Sequence, residues 1–290
     1  MKRMKKVFIN LVAVMLALFA CFNFTACEDI KKLELNIQVY DYADNGSMQD
    51  YTLSIDLYRH LAPTTVDAIV NYVKEGHYDG TAFYKFKNSS YSSQIMLGDL
   101  IAGDNSIVKE NTVKPELPKG EFEKGGTTGS NLVNAKGSVG LWRSWMKADG
   151  SYTTSSTAMK SGRSTWFIPT ETISAYNGYF CVFGQYDTAD ENNVDALDAL
   201  TKAFATSTNY DEYVIYYTGT YDATKANENY GLTFNIALAE DFDSNAVENL
   251  YKSEDTENKA GLVCYDYYSV YIPVTANGAL AAKVVSAKIV

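Results

Sequence analysis

Histidine is the scarcest reactive residue of this chain. There are two in 290 residues, His60 and His77. A Ser-His-Asp triad or a histidine zinc site would have to be built on one of them. His77 lies in Gly76-His77-Tyr78-Asp79-Gly80, a turn composition, and both histidines read as surface or turn residues. Cysteine stands at four, too few for a disulfide framework. No dinucleotide-binding glycine pattern, P-loop or HExxH helix occurs, so no metal and no cofactor is expected. Proline is sparse, at five. With abundant Tyr, Thr, Ser and Asn, that composition suits β-structure rather than disorder. Positive charge is short as well: 25 basic residues face 35 acidic ones.

The charge deficit is uneven along the chain. Lys2, Arg3, Lys5 and Lys6 form a basic head, and an apolar run from Val7 to Ala20 follows, broken only by Asn10. Small residues and a cysteine come next, in Phe24-Thr25-Ala26-Cys27. A basic head, an apolar stretch and a small-residue processing site make a secretory signal over residues 1–26. A permanent transmembrane anchor is the other reading, since about 20 residues just span a bilayer. Cys21 and Cys27 each end a segment that resembles a bacterial lipobox. Cys27 is preferred as the lipidation site, because the small pair Thr25-Ala26 precedes it and a polar stretch follows. Two acyl chains on it would hold the protein at a membrane. Without residues 1–26 the net charge becomes −14. That argues against nucleic acid and anionic lipid surfaces as partners. Of the remaining cysteines, Cys181 and Cys264 form one disulfide or stay as two unrelated thiols.

Periodicity divides the rest. Leu33, Leu35, Ile37 and Val39 alternate with polar residues, as do Leu53, Ile55 and Leu57. These are two half-buried strands, and Asp44-Asn45-Gly46 turns one into the other. Val66, Ile69, Val70 and Val73 form one helical stripe, with Pro63 near its start and Gly76 at its end. Short strands are expected over 82–86, 95–97, 139–142, 165–168 and 179–184. Residues 104–136 and 144–163 read as loop. Val194, Leu197, Leu200, Ala203 and Phe204 mark a second amphipathic helix. Strands at 267–273 and 281–290 end the chain. Two helices among many strands fit a mainly β fold, an antiparallel barrel with its open ends covered by helices.

Six segments carry a family resemblance. Ala62-Pro63-Thr64-Thr65-Val66 opens a helix, and Gly76-His77-Tyr78-Asp79-Gly80-Thr81-Ala82-Phe83-Tyr84-Lys85 follows it. Next come Gly98-Asp99, Gly137-Ser138-Val139-Gly140-Leu141, Ser164-Thr165-Trp166-Phe167-Ile168 and Asn177-Gly178-Tyr179-Phe180-Cys181-Val182-Phe183-Gly184. In this order they resemble the cyclophilin family, over roughly residues 33–206 and the last strand. The resemblance implies a closed eight-stranded antiparallel barrel capped by two α-helices. It implies peptidyl-prolyl cis–trans isomerase activity on proline-containing polypeptides. Such an enzyme binds the twisted amide better than the planar one, against a barrier of about 18–20 kcal/mol.

The resemblance also implies site residues. Phe167 falls where the family lines its proline pocket, and Lys85 on the family's catalytic arginine. A lysine keeps the charge but not the planar fork. The family's glutamine falls on Met96, while Gln94 lies two places away on the same strand face. Thr165 belongs to the segment around Phe167, and the pocket histidine falls on Phe180. The family's pocket methionine and phenylalanine fall on Gln94 and Ser93.

The expected organisation is a signal over 1–26, a short tether over 27–32 and one domain over 33–290. That domain carries an insert at 207–263, before the last strand, with tyrosines 210, 213, 216, 217, 221 and 230. The insert either binds peptide or glycan or supports an extra hairpin. The leading function is an isomerase, lipid-anchored at the extracytoplasmic face of a bacterial membrane, helping exported proteins fold. The alternatives are a catalytically weak or inactive cyclophilin-like peptide-binding lipoprotein, and a surface glycan- or peptide-binding lipoprotein using the Tyr-rich insert.

Overall fold

The computed structural model describes residues 30–43, 46–87, 93–102, 108–110, 132–142, 164–177, 180–207, 209–220, 233–243 and 262–290. The signal over 1–26, Cys21, Cys27 and the polar stretch 144–163 lie outside these residues. Among the described residues no helix is long and apolar enough to cross a membrane.

Alternation builds the first hairpin. Strand β1 (Ile30–Asp41) pairs antiparallel with β2 (Ser47–Tyr58), with Leu33 opposite Ile55 and Leu35 opposite Leu53. These four side chains have no exposed surface, because one face of both strands is turned inward. Strand β1 opens at Ile30, so it takes in three residues expected to form a tether. Helix α1 (Pro63–Lys74) follows, with proline in its first turn, where a missing N–H costs nothing. Val66, Ile69 and Val73 are its buried stripe. Gly76 closes it at φ 69°, a left-handed conformation suited to glycine. Helix α2 (Glu191–Thr206) is capped by Asp190, whose carboxylate accepts from the backbone N–H groups of Asn192 and Asn193. Ala196, Leu197, Leu200 and Ala203 form its inner face. Asn193 ties that face to β2, its Oδ1 accepting from Ser54 N at 2.8 Å.

The remaining strands are short. They are β3 (Lys85–Phe86), β4 (Gln94–Leu97), β5 (Leu100–Ala102), β6 (Val108–Glu110), β7 (Ser138–Leu141), β8 (Trp166–Pro169) and β9 (Val182–Gln185). After α2 come β10 (Tyr210–Thr220), β11 (Thr233–Leu238), β12 (Leu262–Pro273) and β13 (Ala282–Ile289). Five of these join β1 and β2 in one curled antiparallel sheet of seven strands, in the order β13-β1-β2-β9-β7-β8-β4. Its inner face and both helices enclose the main core, with Trp166, Phe83 and Phe183 among its largest side chains.

Three differences from the sequence reading concern the strands. The eight-stranded ring is represented by this seven-stranded curled sheet. Between its edge strands runs the segment 81–86, in which Ala82 bridges Lys283 of β13 and Tyr84 bridges Met96 of β4. Most of that segment pairs too briefly to count as strand, and only Lys85–Phe86 does. Second, Val108–Glu110 is a strand within what composition marked as loop, pairing with β5. Third, the insert forms an extra hairpin, β10 with β11, as one of its two readings has it, but this hairpin joins β12 and β3 in a separate, second antiparallel sheet ordered β11-β10-β12-β3.

Candidate active site

The site is built on one row of residues crossing the strands. Met96 on β4 lies opposite Phe167 on β8, and Phe167 lies opposite Gly140 on β7. Tyr84 bridges Met96 from the other side. Directly opposed residues share a face, so Tyr84, Met96, Phe167 and Gly140 look out on the side away from the main core. Gly140 is what lets the ring of Phe167 lie across β7. A Cβ at that position would sit 2.4 Å from Phe167 Cζ, far inside contact distance.

Aromatic side chains stand around this row. Trp142 stacks on Phe180, with centroids 5.0 Å apart and planes at 18°, and meets Phe167 edge-on at 6.2 Å. Tyr176 contacts Phe180 at 4.5 Å and Phe167 at 5.6 Å. Trp142 is held by its own backbone, its N–H donating to Thr165 O at 3.0 Å. Its other side meets Phe86 of β3 at 5.0 Å. Phe86 and Val270 oppose each other on the second sheet, and both point inward with Tyr213, Ile215 and Ile272. The second sheet therefore lies over the Met96–Phe167 face. Phe167 and Met96 have no exposed surface, and Phe180 and Trp142 almost none.

Gln94 is the polar group in this apolar place. Its Nε2 lies 3.3 Å from Met96 Sδ, and its Oε1 is buried with no hydrogen-bond partner among the described residues. Thr165 is buried and contributes the carbonyl that holds Trp142. Ser93 is tied to the carboxylate of Glu171.

Lys85 is separate from these residues. Phe86, the next residue, belongs to the aromatic cluster, and Phe83, two residues before, belongs to the main core. Alternation sends Lys85 to the side opposite Phe86. Its ammonium lies 5.4 Å from the centre of the Phe204 ring on α2. Burial pushes its pKa below the usual lysine value, and the charge of Glu171 acts in the opposite direction. Phe167, Met96, Gln94, Thr165 and Phe180 are thus brought together, and Lys85 is not among them.

The cyclophilin-type peptidyl-prolyl cis-trans isomerase/CLD family model matches residues 46–218, more than half of the chain. The chain belongs to the cyclophilin-type peptidyl-prolyl cis–trans isomerase family. None of the curated proteins matches it. Among solved structures it is similar to a cyclophilin type peptidyl-prolyl cis-trans isomerase of Cryptosporidium parvum, with 12% identity and a TM-score of 0.34. That similarity covers 72% of this chain and 97% of the other.

Membership gives the six ordered motifs a physical reading in this cyclophilin. Gly98 has φ 108°, and a Cβ there would lie 2.4 Å from Ser164 O, so only glycine lets β4 run on into Asp99. Asp99 Oδ2 then accepts from the hydroxyl of Tyr84 at 3.1 Å. His77 lies in a turn, as its surroundings suggest, but is buried there rather than on the surface. Its Nε2 lies 3.1 Å from Gly98 O, and burial lowers its pKa. Four members of the aromatic cluster escaped the sequence reading: Tyr84, Phe86, Trp142 and Tyr176. Each lies inside or beside a motif already singled out, so an aromatic residue at a motif's edge was the available signal.

Proposed function

We propose that this chain is a peptidyl-prolyl cis–trans isomerase acting on proline-containing polypeptides at the extracytoplasmic face of a bacterial membrane. The observation that carries the reading is the apposition of Met96 and Phe167 on one face, walled by aromatic rings, with Gln94 Oε1 buried beside them and unpaired among the described residues. An apolar wall suits a proline ring, and a buried amide suits the peptide group next to it. In this reading Phe167 lines the proline pocket, and Gln94, Met96, Thr165 and Phe180 support the substrate. Lys85 supplies positive charge to the prolyl nitrogen as conjugation breaks, after leaving Phe204. Closure of the curled sheet into an eight-stranded barrel is supported by the bridges at Ala82 and Tyr84.

A coupled proline-peptide isomerisation assay on residues 28–290 tests this reading. Acceleration over buffer is expected, with at least a tenfold loss on Lys85→Ala and on Phe167→Ala. A folded sample with no acceleration overturns it. The second reading, a cyclophilin-like module with weak catalysis, is favoured by Trp142 stacked on Phe180 and by Lys85 over Phe204. It predicts peptide binding without turnover.

The membrane part rests on the N-terminal sequence. Lipid on Cys27 would leave three residue steps to Ile30, a reach of about 11 Å at most. The domain would then sit against the membrane surface. Labelled fatty acid incorporated by the parent and not by Cys27→Ser supports the anchor, and equal labelling transfers it to another residue.

A further inference from the structure

A cavity of about 300 Å³ opens between the end of β1 and helix α2. That is near the lower end of ligand pockets, roughly 300–1,000 Å³. None of its lining residues belongs to the aromatic cluster around Phe167. Tyr40, Tyr42 and Tyr51 line it. Two of these rings are fixed by their surroundings. The hydroxyl of Tyr42 lies 2.9 Å from Ser207 Oγ and 3.1 Å from Val274 O. Tyr40 packs edge-on against Tyr42 at 4.9 Å. Its hydroxyl end fills the space above Gly46, 2.1 Å from where a Cβ would stand. The aromatic walls are therefore pre-set.

The charges at its edge are unbalanced. Lys202 reaches Asp41, with Nζ 3.4 Å from Oδ1, and each offsets the other. Asp195 and Asp198 stand one helical turn apart on α2 and also line the cavity. Among the described residues neither has a hydrogen-bond or ion-pair partner. Two uncompensated carboxylates beside tyrosine rings repel an anion and give a neutral ligand no advantage. They suit a cation with an apolar stem, which gains from both the ring faces and the carboxylates. The stem would rest on the floor formed by Val39 and Ala203, both buried. The chain's net charge of −10 draws such a ligand in.

We propose that this cavity binds the side chain of an arginine or lysine in a polypeptide. The guanidinium or ammonium group meets Asp195 and Asp198, and its methylene stem lies among Tyr40, Tyr42 and Tyr51. This site is independent of the isomerase reading and would operate whether or not the chain turns over proline peptides.

The test is a titration of the full chain, ¹⁵N-labelled and held in a non-ionic detergent, with N-acetyl-arginine amide. N-acetyl-citrulline amide serves as the neutral probe of the same shape. The expected result is saturable shifts confined to residues 39–42, 51 and 195–206, with citrulline at least tenfold weaker. Asp195→Asn with Asp198→Asn should weaken arginine binding by at least tenfold. These two positions are exposed, so the fold should survive, which unchanged shifts elsewhere would verify. The double variant should keep the parent's isomerisation rate, so the two readings fail separately. Absence of saturation, equal binding of citrulline, or binding unmoved in the double variant would each overturn the proposal.

Discussion

Gln94 concentrates the tension between stability and function in a single side chain. A buried acceptor without a partner costs about 1–3 kcal/mol. Removing it while keeping volume and flexibility should help the fold. Gln94→Met is expected to raise the unfolding free energy by about 1 kcal/mol and to lower isomerisation. Urea denaturation together with the peptide assay checks both. A fall in stability would instead mean that the amide has a structural partner. Gly140 shows the opposite constraint, since the ring of Phe167 already occupies the place of its Cβ. Gly140→Ala should destabilise by about 1–3 kcal/mol through overpacking, seen as a lower denaturation midpoint. An unchanged midpoint would show that Phe167 can move aside freely.

At the scale of elements, the point of interest is how the second sheet meets the first. Trp142 joins them, stacked on Phe180 on one side and packed on Phe86 on the other. If this contact covers the substrate face, Trp142→Leu should raise the isomerisation rate per folded molecule while lowering the melting temperature. A rate that stays level or drops would place Trp142 in the substrate wall. Local pattern revealed the elements well. The alternation in β1 and β2 and the stripe of α1 are properties of neighbouring residues, and each element lies where that pattern puts it. The covering of Phe167 by Tyr213, Ile215 and Val270 could not be read the same way. It depends on which sheet the insert joins, a long-range pairing with no mark in the nearby sequence. The direction of Lys85 was hidden for a related reason. Its motif gave its position in the chain, but its face was decided by where Phe83 and Phe86 are buried. The tyrosines of the insert divide similarly: Tyr213 is core, while Tyr210 is exposed and packs on Tyr271.

For the molecule as a whole, acid sensitivity follows from His77. The folded protein holds this ring below its usual pKa because burial disfavours the charged form. As pH falls through about 6.5, the unfolded chain takes up the proton first. Stability from this source is therefore full above that value and declines below it, until the folded-state pKa is reached. Melting temperatures measured between pH 7.5 and 5.5 should fall with acidification, and His77→Gln should flatten the slope. Parallel slopes in parent and variant would remove His77 as the cause. Asp67 works in a lower window. Its hydrogen bonds from Arg59 hold its pKa below the usual carboxylate value, so its contribution is lost only as pH falls below about 4. The pair is exposed and its weight in stability is small.

The pairing of β1 with both β2 and β13 has a consequence for how the chain comes into being. One partner of β1 is made at once, and the other only after more than two hundred further residues. A ribosome adding about 5–20 residues per second needs on the order of ten seconds or more to cover that distance. Throughout that time the first hairpin has an edge with nothing to pair against, and its row of Leu33, Leu35, Ile37 and Val39 has no core to enter. The nascent chain must therefore be kept from joining its neighbours while it waits for its own last strand.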